Sequence, residues 1–154
     1  MKETPEYKTQ ESIYQSISGG PELLAWFGQV PSFHDAEIIS LDLNRRKPSK
    51  LKIHAWNSSN KIGPDGYGIL EKHAIVTFTI DHVFDLQLDG FSHQNVISNL
   101  DIFHLRPNPG RERYYSRSPP ELSFEMVLYP CFGLDGIIKC EKISINYQAG
   151  KPSE

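Results

Sequence analysis

Cysteine is scarce in this chain of 154 residues: Cys131 and Cys140 are too few for a disulfide scaffold. No run of about 18 apolar residues occurs, so no membrane-spanning segment is expected. The opening Met1-Lys2-Glu3-Thr4-Pro5 stays polar to Ser12 and lacks the apolar stretch of a secretory signal. The expected compartment is therefore a reducing cytoplasm with both thiols free. On that expectation the glycosylation-like triplet Asn57-Ser58-Ser59 is accidental. There is no excess of positive charge either. Sixteen Lys and Arg stand against nineteen Asp and Glu, a net charge of -3. That balance argues against a general nucleic-acid binder.

Catalytic signatures are missing as well. None of the six histidines, His34, His54, His73, His82, His93 and His104, falls in a His-x-x-x-His pair, and there is no Cys-x-x-Cys. Neighbouring residues on a strand point to opposite faces, so His34-Asp35 and Asp81-His82 do not chelate one ion without a turn. No metal or other cofactor is expected. There is no Gly-x-Ser-x-Gly elbow and no phosphate loop. Cys140 alternates with Ile138 and reads as a buried structural thiol, whereas Cys131 follows Pro130 at a turn. Asp85 and Asp89 alternate with Phe84, Leu86 and Leu88, which reads as a solvated outer face.

What is present is a hydrophobic pattern. Tyr14 and Ile17, with Ile13, predict a short helix from about Glu11 to Ile17, stopped by Gly19-Gly20. Pro21 and Glu22 suit the first turn of a second helix, and Gly28 suits its end. From Phe33 the period becomes two. Strands are predicted over Ile39–Leu43, Leu51–Ala55, His73–Asp81, Phe84–Asp89, Val96–Leu105, Leu122–Leu128 and Gly136–Tyr147. Arg45–Ser49 reads as a hairpin turn and Asn57–Tyr67 as a loop long enough to bind something. The last strand changes phase between Cys140 and Ile143, which predicts a β-bulge near Glu141-Lys142. With no long helices between strands, pairing should be antiparallel. The fold class is α+β: short N-terminal helices on a mainly antiparallel, strongly bent sheet of about seven strands. The expected organisation is a polar segment over 1–19 with a short helix, one domain over 20–148, and a tail over 149–154.

Two segments could carry function. Arg106, Arg111, Arg113 and Arg117 surround Tyr114 and Tyr115. Such a loop is first an ordinary solvated one, next a protein interface, and last a phosphate or RNA grip, because the rest of the chain is acidic. The segment Pro31-Ser32-Phe33-His34-Asp35-Ala36-Glu37 also allows three readings. Phe33 could fill the core while His34 and Asp35 hold a turn, the pair could form a polar binding patch, or it could act as acid and base. A lone His-Asp pair is a weak motif, so the structural reading leads.

Trp26-Phe27-Gly28 followed by PSFHDAEIISLDL resembles the N-terminal signature of the bacterial immunity protein 50 family. Leu86-Gln87-Leu88-Asp89-Gly90-Phe91, Gln94-Asn95-Val96-Ile97 and Phe132-Gly133-Leu134-Asp135-Gly136 are similar too. The resemblance spans roughly residues 22–147, and the 106–120 loop lies outside its pattern. It implies a small cytoplasmic α+β protein of a polymorphic toxin system, which neutralises its toxin by binding. No catalytic residue carries over. The matching motif positions are Trp26, Gly28, Phe33, His34 and Asp35, with roles that the resemblance leaves structural. The partner expected is thus a protein toxin, with no membrane and no nucleic acid.

Overall fold

The computed structural model describes residues 5–153, with side chains from Gln10 onward apart from Asn60. The first four residues of the expected polar segment, and Glu154 of the expected tail, lie outside the described residues. Two helices, α1 (Pro5–Ser16) and α2 (Gly20–Phe27), precede six strands. These are β1 (Glu37–Asp42), β2 (Ser49–Ile62), β3 (Gly68–Asp89), β4 (Val96–His104), β5 (Phe124–Phe132) and β6 (Asp135–Ala149). All ladders are antiparallel, and the order β1-β2-β3-β6-β5-β4 closes into a barrel.

The expected class holds: short helices on a strongly bent antiparallel sheet. Two of the seven expected strands are the arms of one, because β3 runs through both. At the joint His82 has φ +54, and the β3–β6 register slips between Val83 and Asp85. The phase change of β6 is thus met by an extra residue in its partner, not by a bulge at Glu141-Lys142. The loop expected over Asn57–Tyr67 is instead mostly strand. Asn57 pairs with Glu71 and Ile62 with Gly68, and only Gly63–Tyr67 forms the turn. With no described residue buried on either face, this hairpin lacks the alternation that marks a half-buried strand.

The core fills the barrel. Leu51, Ile53, Val76, Phe78, Ile80, Ile97, Ile102, Met126, Leu128 and Ile138 are all buried. Tyr14, Ile13, Ile17, Leu23 and Phe27 join the same cluster from the helices. Gly28 ends α2 in the left-handed region (φ +75), and its N–H bonds Leu24 O at 2.7 Å. Trp26 packs on Tyr147 at 5.3 Å and donates to Lys72 O at 3.3 Å.

The barrel closes thinly. β1 and β4 pair only at Glu37 and Val96, extended by the bonds Ile38 N–H to Asn95 O and Ile97 N–H to Ala36 O. Farther along β4 the partner is a side chain. The buried Gln10 amide donates to Ile102 O at 2.7 Å and accepts from Ile102 N–H at 2.9 Å, as a neighbouring strand would. The helices are tied to the opposite side through Ser18, whose carbonyl accepts from Ile145 N–H at 2.7 Å. A Cβ on Gly19 (φ +84) would stand 1.7 Å from Ile145 O, so only glycine allows this approach.

Candidate functional site

The motif segment forms a tight corner. Ala36 N–H bonds Phe33 O at 3.0 Å, and Asp35 N–H bonds Ile97 O at 2.9 Å, which fastens the turn to β4. Phe33 and Asp35 both have positive φ, +57 and +64, a region costly for residues with a Cβ. Burial of Phe33 against Phe78, at 5.9 Å edge to face, holds it there. His34 and Asp35 point into solvent, with side chains 67% and 60% exposed and 3.6 Å apart. His34 Nδ1 lies 3.2 Å from Ser98 O. Asp35 Oδ1 lies 3.9 Å from the exposed Cys131 thiol. The thiol faces a carboxylate and not the imidazole, which is the wrong order for a base-activated nucleophile.

The arginine loop sits at the other end of β4 and is drawn inward. Glu125, Lys139 and Asp85 are neighbours across β5, β6 and β3, and all three are buried. Arg106 reaches Glu125 Oε2 through Nη2 at 2.9 Å while its ring partner is Phe103 at 3.9 Å. Arg111 binds both oxygens of Asp85, with Nε at 2.9 Å, and stacks on Tyr114. Arg117 binds both oxygens of Glu141. The charge-assisted bond to Arg111 holds the Asp85 carboxyl below its ordinary range, and Arg117 brings Glu141 down to about 2. Asp85 is therefore not on a solvated face: the loop covers it. Three of the four guanidinium groups are committed to carboxylates of their own chain. Arg113 and Tyr115 remain exposed, and Arg113 has no ion pair among the described residues.

The structure does not bring His34 and Asp35 together with this loop. Ser98, which His34 meets, lies near the start of β4, whereas Arg106 lies just beyond its last residue, His104. No group of three His, Cys, Asp or Glu side chains among the described residues could hold a metal. No helix among them is long and apolar enough to cross a membrane.

Two surface features remain. A groove of about 730 Å³ runs between the β1–β2 turn and the end of α1. Arg45, Arg46 and Lys47 line one wall, with Lys142 and the Arg117–Glu141 pair opposite. Elsewhere, Leu41, Leu43, Leu88, Phe91 and Leu134 line an apolar depression of about 460 Å³. It shares Leu88 and Asp89 with a second depression, of about 270 Å³, that also includes Asp135.

A family model described as immunity protein 50 matches residues 21–106, more than half of the chain. The chain belongs to the immunity protein 50 family. No curated protein and no solved structure is detectably similar to it. The match runs from α2 to the start of the arginine loop, so it takes in both the His34-Asp35 corner and the β1 and β3 walls of the apolar depression. Of the sequence motifs that carry the immunity protein resemblance, Trp26, Gly28 and Phe33 build the fold. The Leu86–Phe91 and Phe132–Gly136 motifs converge beside Leu41 and Leu43 at that depression. Sequence reading missed this convergence. Its one signal was the apolar face of β1, which continues to Leu43 and ends 44% exposed.

Proposed function

We propose that this protein neutralises a toxin by binding it directly, without chemistry of its own, in the cytoplasm of the cell that makes both. Membership in an immunity protein family carries the reading. It gains support from the exposed corner, where His34, Asp35 and Cys131 lack the order a nucleophilic centre needs. It gains more from large apolar side chains left in solvent, such as Phe91 and Leu43, on a chain that has a complete core elsewhere.

The test is protection. The product of the adjacent toxin gene is expressed in a susceptible host with and without this protein, and the two purified proteins are mixed. The expected results are restored growth and a one-to-one complex on size exclusion. Growth arrest despite full expression, with no complex formed, sinks the reading. Protection by this protein at amounts far below those of the toxin, with no complex formed, would point to an enzyme instead.

A further inference from the structure

The reading of direct toxin binding leaves the docking surface open, and the inference here rests on that reading. We propose that the toxin docks on the depression between β1, the end of β3 and the β5–β6 turn, presenting a basic residue flanked by an aliphatic or aromatic side chain. Three observations carry this.

The first is apolar exposure in one place. Phe91 is 68% exposed and Leu43 44%, and both line the same depression over the buried Leu134. Apolar groups gathered at a concave surface are what an interface core is made of. The second is charge. Asp89 and Asp135 are direct cross-strand partners, both exposed, and among the described residues they are the only ionisable ones lining the two joined depressions. Like charges placed opposite each other weaken a sheet. Asp89 Oδ1 accepts from Gly90 N–H at 2.9 Å, but the facing of the two carboxylates adds nothing to that bond, whereas a cation arriving on a partner would relieve the repulsion.

The third is rigidity. Asn95 is buried and ties the β3–β4 connection to the β5–β6 turn. Its Oδ1 accepts from Ser92 N–H and Leu134 N–H, both at 3.0 Å, and its Nδ2 donates to Ser92 O at 2.9 Å. A Cβ on Gly133 (φ +89) would stand 2.5 Å from Gln94 O, and one on Gly136 would stand 2.5 Å from Gln87 O. The depression is thus held in shape before anything binds, which lowers the ordering cost of association. The other surfaces offer less. Three of the four loop arginines are already paired, and the basic groove would select an acidic partner, which the net charge of -3 disfavours at long range.

The experiment measures binding of the toxin encoded beside this gene. The variants are Leu43→Ser with Phe91→Ser, Asp89→Asn with Asp135→Asn, and Arg45→Ala with Arg46→Ala as a control. The apolar pair of changes should weaken binding at least 100-fold. The aspartate pair should weaken it about tenfold and flatten its salt dependence, while raising the melting temperature or leaving it unchanged. That melting readout shows the variant is folded. The control should bind like the parent. Binding within threefold of the parent in both depression variants overturns the proposal while the toxin-binding reading stands. Loss confined to the Arg45/Arg46 control overturns it too. Toxin binding that persists while the depression variants abolish a homodimer would make the depression a contact between copies, and the proposal fails. If the unaltered protein binds no toxin, the underlying reading falls, and this one with it.

Discussion

His54 and His73 stack on the outer side of β2 and β3, Nε2 to Nδ1 at 3.0 Å, with Trp56 against both rings. Burial, and then the neighbouring imidazole, pushes His54 below the ordinary histidine value. Burial, and then Lys151, does the same to His73. Both take up protons less readily folded than unfolded, so the unfolded chain gains protons first as pH drops below about 6.5. Their contribution is complete above that pH and is lost on acidification. The melting temperature should fall between pH 7 and pH 5, and His54→Gln with His73→Gln should reduce that slope. An unchanged slope in differential scanning fluorimetry would refute the assignment. Single residues were legible where their role is local. Gly28 as a helix stop and Cys140 as a buried thiol follow from spacing alone, and burial indeed raises the Cys140 thiol to about 12. Asp85 was not legible. Alternation assigns it to the outer face, but alternation does not say what covers that face.

The loop between β4 and β5 works as a clamp, because three of its four arginines cross to carboxylates on the strands it covers. Removing one partner leaves the others buried and uncompensated. Asp85→Ala strands Lys139, which is only 4% exposed and has Asp85 at 3.9 Å. The cost expected is about 3 kcal/mol, a fall in melting temperature of roughly 10 °C. Asp85→Ala with Lys139→Met should recover much of it, and a single variant that melts like the parent would refute the clamp. The shift at Glu141 has the same sign as the histidines', so this contribution is also lost on acidification, over a more acidic window. A carboxyl held down to about 2 by Arg117 stabilises fully above about 4.5 and less and less as pH falls toward 2. Arg117→Gln should therefore flatten the acid limb of a stability–pH curve over that window. α2, the second half of α1, the Arg45–Ser49 turn and most strands could be placed from periodicity, whereas the polar first half of α1, from Pro5 to Gln10, shows none. The joining of two strands into β3 could not, because the kink at His82 breaks the alternation where the backbone merely bends. The outer hairpin of β2 and β3 escaped for a related reason: without a buried face, a strand has no period to show.

For the molecule as a whole, the helical pair is fastened on both sides of the closure. Gly19 presses on β6 and Gln10 on β4. Gly19→Ala puts a methyl group into Ile145 O and demands an unfavourable φ, a combined cost of about 3 kcal/mol. Amide exchange should then speed at Ile145 and Ile102 together, though they lie on different strands. Acceleration at Ile145 alone would show that the two attachments act separately. The class of fold was legible, since strands without long helices between them pair antiparallel. Closure was not, since nothing local marks a strand whose second neighbour is an amide side chain.

That substitution of a helix for a strand decides how the molecule resists polymerising. The N–H and C=O of Ile102 are guarded by one glutamine on one helix. When α1 lifts, β4 becomes a bare edge, and a bare edge templates the addition of foreign strands. The defence against aggregation in this barrel therefore resides outside its sheet, in a two-bond lock.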